Sequence, residues 1–186
     1  LDTNTKIRFP ADDTITLTTG GTQGVRLTSA QKLLVGDHTV SRSIGNSEHI
    51  LQTEGTSASE NGISLYSFTN NQHAAHLSFG KSRNNTSIAD DDYLGHIIWC
   101  AHDGTDVNST AARITASIDG TPGSNDTPGR LEFYTTSDGS QVPTERARIT
   151  SNGKILIGSD TLRNVGGSSA SGQLQVEGTT ANTSSV

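Results

Sequence analysis

The residues of this chain that could do chemistry are sparse and poorly spaced for it. Asp90-Asp-Asp92 is the densest acidic run. Successive carboxylates could supply oxygen ligands to a hard cation, and the reading we favour is a solvated loop ahead of a strand. Asp103-Gly-Thr-Asp-Val-Asn108 superficially resembles a calcium loop. Its acidic spacing does not fit the twelve-residue pattern, and the glycine needed at the sixth position falls elsewhere. His73 and His76 stand three apart, which on a strand puts them on opposite faces and denies them a shared metal. His96 and His102 flank an apolar run at opposite ends. No Gly-x-Ser-x-Gly elbow occurs to present a nucleophile, and no carboxylate pair is marked out for glycoside cleavage, although Asp and Glu of different strands or chains could converge. Trp99, Tyr66, Tyr93 and Tyr134 could stack on sugars, but the aromatic content is only 4%, too little for the platforms of a polymer-cleaving cleft. Trp99 reads as core from its apolar neighbours, and Tyr134 as a chain interface. The expectation is no enzyme, no cofactor and no bound metal.

The remaining charged constellation is structural. Arg146 and Arg148 alternate with Ala147 and Ile149, which places both guanidinium groups on a polar strand face beside Glu145, able to pair with carboxylates of a neighbouring strand or chain. Net charge is −6 with no basic stripe, so the cations that contact phosphates are missing and nucleic acid is excluded as a partner. No apolar run approaches the roughly 18 residues that span a bilayer, so no membrane insertion is expected. The one cysteine, Cys100, permits no intrachain disulfide and reads as a small buried thiol within Ile97-Ile-Trp-Cys-Ala101. The sequons at Asn84, Asn85, Asn108, Asn125 and Asn182 reflect the abundance of Asn, Ser and Thr.

What positions these residues is a repeat. Gly24-Val-Arg-Leu-Thr-Ser-Ala-Gln-Lys-Leu-Leu-Val-Gly36 returns as Arg146-Ala-Arg-Ile-Thr-Ser-Asn-Gly-Lys-Ile-Leu-Ile-Gly158, an offset of 122 residues. Leu51-Gln-Thr-Glu-Gly-Thr56 returns as Leu174-Gln-Val-Glu-Gly-Thr179, an offset of 123. Repeats of this length report serial modules of an elongated protein. Residues 1–50 read as the end of one repeat, 51–162 as a complete one, and 163–186 as a linker and the start of the next. The parent chain is expected to continue on both sides.

Period-2 alternation marks the strands. Thr14 to Thr19 opens the series, followed by hairpins at Val25 to Thr28 with Lys32 to Val35 and at Arg146 to Thr150 with Lys154 to Ile157. Between them come Ile63 to Phe68, Ala75 to Phe79, Leu94 to Ala101, Ala112 to Ile118 and Leu131 to Thr135. Asn152-Gly153 suits a primed two-residue turn. Ala30-Gln31 accepts positive φ poorly, so a different or looser turn is expected in the first copy. Ile97-Ile98-Trp99 is apolar on consecutive residues, which calls for cover on both faces and places that strand at the module's centre.

Leu, Ile, Val and Phe make up 38 of the 186 residues, close to the level at which chains fail to fold. Thr and Ser make up 49, which suits sheets with exposed faces. A chain so thin in core gains most by closing its sheets on identical neighbours, and a parallel trimer is the simplest closed arrangement for an elongated repeat. The fold class is all-β: short antiparallel strands and hairpins assembled as a parallel homotrimeric fibre. Ile97, Ile98, Trp99, Ile114, Ile118, Leu131, Phe133, Ile149, Ile155 and Ile157 are the expected trimer or core packing residues, and Glu145, Arg146 and Arg148 the expected interchain polar pairs.

The ordered set Lys81-Ser-Arg83, Asp92-Tyr-Leu-Gly95, Asp103-Gly-Thr105, Asp119-Gly-Thr-Pro-Gly123, Asp126-Thr-Pro-Gly-Arg-Leu131, Phe133-Tyr-Thr-Thr136, Asp138-Gly139, Pro143-Thr-Glu-Arg146 and Arg148-Ile149 resembles distal shaft modules of bacteriophage tail fibres, carried by many marine phages including those of cyanobacteria. The resemblance spans roughly Leu51 to Gly158. It implies a trimeric β-rich virion segment used in host attachment, often upstream of a self-cleaving intramolecular chaperone. Ala147 stands where the family commonly has Met. The implied partners are two further copies of the chain, adjacent fibre or virion proteins, and a bacterial surface glycan or protein. The readings to set beside it are a carbohydrate-cleaving tailspike segment and a capsid-decorating fibre or bacterial surface adhesin.

Overall fold

The computed structural model describes residues 3–36, 38–57, 60–164 and 172–178. The chain divides into two compact units, Leu1–Leu77 and Ser78–Val186. Every regular element described is a strand.

The first unit holds a five-stranded sheet in the order β1 (Lys6–Arg8), β2 (Ile15–Thr19), β3 (Thr22–Leu27), β4 (Leu33–Val35) and β5 (Leu51–Thr53). Consecutive strands are antiparallel until β5, which joins β4 in parallel. The second unit holds a six-stranded sheet, built as an antiparallel meander of β6 (Tyr93–Ala101), β7 (Ser109–Ile118), β8 (Gly129–Thr135), β9 (Thr144–Ile149) and β10 (Ile155–Ile157). Parallel to β10 runs β11 (Leu174–Val176). Alternating side chains and a Thr-rich composition account for these strands. The three-residue strands β1, β5 and β11 were too short to read as periodic.

The repeat reappears in conformation. In both copies one residue bulges out of the ladder, Gly24 in β3 and Arg146 in β9, and its carbonyl accepts the N–H of Gly36 or Gly158 at 2.9 Å. Both hairpins close alike. The Gln31 N–H donates to the Thr28 carbonyl and the Gly153 N–H to the Thr150 carbonyl, each at 2.9 Å, and φ is 60° at Gln31 and 72° at Gly153. This is a three-residue loop with one left-handed residue before the ladder resumes. The expected primed turn at Asn152-Gly153 and the expected looser first turn are both corrected: only one position needs positive φ, and Gln31 adopts it because the flanking ladder requires it. Gly36 and Gly158 also have positive φ, and a Cβ on either would collide with the carbonyl of Glu54 or Glu177 on the adjoining parallel strand.

Two further expectations are corrected. Ile63 to Phe68 and Ala75 to Phe79 belong to no sheet, because among the described residues no strand pairs with them. Ile97-Ile98-Trp99 lies in β6 at the edge of its sheet, not at the centre, because among the described residues no further strand pairs beyond it. Its three side chains are 46%, 45% and 50% exposed, so neither face is covered within one chain.

Candidate functional site

In the second unit's sheet, antiparallel partners share a face, and the register builds two surfaces of opposite character. One face carries the row Ile97, Ile114, Phe133, Ala147 and Ile157, and beside it Gly95, Ala116, Leu131, Ile149 and Ile155. The other carries His96, Thr115, Glu132, Arg148 and Leu156, flanked by Arg113, Tyr134 and Glu145 and by Ser117 and Arg130. Burial is inverted relative to polarity. Glu132 is 2% exposed, and Thr115 and Ser117 are fully buried, while Leu131, Phe133, Ile149, Ile155 and Ile157 are 37–43% exposed. Of the expected packing residues only Ile118 is sealed within the chain, and Ile114 is half-buried. Trp99, expected in the core, lies half exposed. Cys100 is half-buried rather than buried, its Sγ 3.9 Å from Thr110 Oγ1.

The polar face seals itself with ions. Glu132 accepts hydrogen bonds from Ser117 Oγ and from Arg130 Nε, each at 2.7 Å, and lies 3.7 Å from Arg148. Arg130 continues to the Ile118 carbonyl at 2.8 Å and to Asp91 at 2.7 Å. Arg148 donates to both oxygens of Glu145, at 2.6 and 2.7 Å. Burial opposes the charge of Arg130, but its bonds to Glu132 and Asp91 prevail and hold it firmly protonated. Arg113 lies over the Tyr134 ring, 4.1 Å from its centroid, so Tyr134 is half-buried beneath a cation. Burial, with Arg113 nearby, keeps His96 below its ordinary pKa, and its Nδ1 lies 3.0 Å from Thr115 Oγ1.

The bulge at Arg146 explains the pairing on β9. An extra residue shifts the alternation, so Glu145 and Arg148, three apart, reach the same face. The expectation that Arg146 and Arg148 share a face is corrected accordingly: Arg146 turns to Thr135 Oγ1 at 3.0 Å and Ser137 Oγ at 2.8 Å and remains exposed. Within the chain, Glu145 and Arg148 have each other.

The acidic run is a loop ahead of β6, with Asp90 and Asp91 exposed as expected and Asp92 buried. Asp92 is 7% exposed and accepts from Arg83 Nε and Lys81 Nζ at 2.7 Å and from the Ala89 N–H at 2.8 Å. The Arg83 and Lys81 bonds, with the Ala89 amide, hold its carboxyl far below the usual carboxylate range. Asp90 accepts the Gly120 N–H at 2.7 Å, and Asp91 takes Arg130. Lys81, Arg83 and Arg130 stand too far away in sequence for spacing alone to show that they consume these charges. Asp103 likewise folds its own loop, accepting from Thr105 N–H at 2.9 Å and Ser109 Oγ at 2.8 Å. Among the described residues no three metal-capable side chains cluster.

A second repeated feature escaped the sequence reading. Gln52 accepts the Arg42 N–H and returns a bond to the Arg42 carbonyl, and Gln175 does the same with Arg163. Arg42 pairs with Glu54 at 2.6 Å, and Arg163 with Glu177 at 3.3 Å. The signal was present in the repeated Gln-x-Glu of the two short motifs, hidden by unequal spacing to the arginines.

On the apolar face, Phe79 sits on Gly95, where an added Cβ would lie 2.8 Å from the Phe79 Cβ and Cγ. Phe79, Gly95, Ile97, Ile114, Ala116 and Leu131 line an open groove of about 290 Å³. Enclosed catalytic geometry is absent from this surface. A sheet that conceals its salt bridges and displays its aliphatics is arranged for contact with another polypeptide.

No family model and no curated protein matches the chain. Solved structures do. The carboxy-terminal domain of the bacteriophage T5 L-shaped tail fibre aligns over 90% of this chain and 73% of its own, with a TM-score of 0.56 and 18% identity. This chain has a tail-fibre fold. A structure of that T5 domain with its intra-molecular chaperone domain aligns over 82% of this chain, TM-score 0.55 and 18% identity. The chain spans about half of that longer structure, 47%. The tail-fibre fold agrees with the resemblance carried by the sequence motifs, two of which meet in space as the Lys81, Arg83 and Asp92 clamp.

Proposed function

We propose that this chain is a structural shaft segment of a phage tail fibre, of the module type resembling those of marine phages, and that it works as a parallel homotrimer within the virion. The observation that carries this reading is the inverted sheet. Leu131, Phe133, Ile149, Ile155 and Ile157 face outward from one chain, and the opposite face is already closed by Arg130, Glu132, Glu145 and Arg148. In a trimer the aliphatic face turns toward the axis and the ionic face remains at the surface. The exposed Arg146 is placed to pair with a carboxylate of a neighbouring copy.

The repeat supports a modular shaft, with residues 51–162 as one complete module between parts of two others. A shared bulge, turn, parallel strand and Gln clasp recur 121 to 123 residues apart, as expected of serial stacking of one unit. The role is mechanical: length, stiffness and the presentation of weak contacts to a bacterial surface glycan or protein, several fibres acting together by avidity. The chain performs no catalysis in this reading, and its partners are two further copies and adjacent fibre proteins. Light scattering of the isolated segment tests it. Three chain masses, stable on dilution, are expected; a stable monomer refutes the trimer.

A further inference from the structure

Residues 61–80 carry no Asp, Glu, Lys or Arg, in a chain that is 17% charged. They form no strand, and among the described residues they make no backbone–backbone hydrogen bond. Their hydrogen bonds are few and local, gathered at one bend: Ser67 Oγ donates to Thr69 Oγ1 at 3.5 Å, Thr69 Oγ1 to the His73 carbonyl at 3.2 Å and the His73 N–H to Asn71 Oδ1 at 2.9 Å. On either side of the bend the chain has no regular secondary structure and its large apolar side chains are open: Ile63 is 71% exposed, Leu65 53%, Tyr66 81%, Phe68 90% and Leu77 70%, while Phe79 rests on Gly95. Paired as a strand, Ile63 and Leu65 take one face and Tyr66 and Phe68 the other, so apolar groups fall on both faces.

An exposed connector of this length normally carries charge, since nothing else keeps it in water. This one has unpaired amides and carbonyls, which demand partners once water is removed, and two apolar faces, which demand cover on both sides. Where identical segments meet about a symmetry axis, every charge faces its own copy, so a charge-free sequence is the one that such a meeting tolerates.

We infer that residues 61–80 are a trimerisation segment, whose extended arms at 63–68 and 74–79 take their backbone and side-chain partners from the same segment of the two neighbouring copies. The inference rests on the trimer proposed above and adds where the copies interlock. In the separated chain these arms have no fold of their own. They order on assembly, as the segments of obligate oligomers do.

Hydrogen–deuterium exchange read by mass spectrometry, on the same sample weighed by light scattering, tests this. With three chain masses present, amides of 63–68 and 74–79 are expected to exchange at least about a hundredfold more slowly than an unstructured peptide. A trimer whose arms exchange at the unstructured rate overturns the inference and leaves the trimer standing. A monomer overturns both, whatever its exchange pattern. Phe68→Asp, which sets three carboxylates together, is expected to lower trimer mass on dilution, and unaltered association also counts against the segment.

Discussion

Phe133→Asp is the sharpest perturbation of the apolar face. Phe133 lies in the middle of its row, between Ile114 on β7 and Ala147 on β9, and is 38% exposed. Leu131, Phe133, Ile149, Ile155 and Ile157 are each about four-tenths open, and full burial of such a side chain contributes roughly 1.5–3 kcal/mol. Closing the open fraction is therefore worth about 0.6–1.2 kcal/mol per side chain, or about 3–6 kcal/mol per chain. Aspartate at position 133 removes about 1 kcal/mol of this and places an unpaired carboxylate against aliphatic groups, which costs several kcal/mol more. Summed over three copies, the loss exceeds about 4 kcal/mol, equivalent to at least a thousandfold weaker association. Light scattering across a dilution series is the assay. The wild-type mass is expected to hold at three chains while the variant falls toward one, and Phe133→Leu, which preserves apolar character, is expected to stay near wild type. A Phe133→Asp variant that associates as tightly as the parent would show that this face is not the contact, and the reasoning from inverted burial would fail.

Glu132→Ala leaves Arg130 to Asp91 and Arg148 to Glu145 but deprives Arg130 Nε and the buried Ser117 hydroxyl of their shared acceptor, and is expected to cost about 1–3 kcal/mol of unfolding free energy in urea. Glu132→Gln is expected to cost less, because it can still accept from Ser117. Gln31→Gly relieves a left-handed φ worth about 1–2 kcal/mol and adds about 0.5–1 kcal/mol of backbone entropy, for a net gain of about 0.5–1 kcal/mol in the same assay. The Asp92 carboxyl is depressed in the fold by Arg83 and Lys81, so its contribution is complete above about pH 5 and is lost as pH falls below about 4. Acid unfolding followed by circular dichroism is expected to flatten across that window in Asp92→Asn.

Ten strand segments follow from alternation, and eight lie in sheets with ends shifted by a few residues. The two failures are informative. Ile63 to Phe68 and Ala75 to Phe79 have strand-like sequences, but a strand is a property of two edges, and the second edge is not in their own chain. Ile97-Ile98-Trp99, expected at the centre with cover on both faces, is instead an edge strand whose three side chains are about half exposed. The pairing of Asp92 with Lys81 and Arg83 could not be read, because it depends on two loops converging. The parity of Arg146 could not be read either, because one bulged residue reverses the faces of everything before it.

These failures share a direction. Across most of the expected apolar face the single chain leaves the side chains open, and the carboxylates that could have served as free ligands already hold hydrogen-bond partners. In a self-contained domain the opposite holds: apolar faces close first and charges remain in water. Here Glu132 is 2% exposed while Phe68 is 90% exposed. Ion pairs can finish a surface within one chain because their reach is local and their geometry is met by side chains on adjacent strands. An apolar sheet face in a chain this poor in aliphatics stays open in the single chain, and in the trimer proposed above identical copies close it without any further sequence.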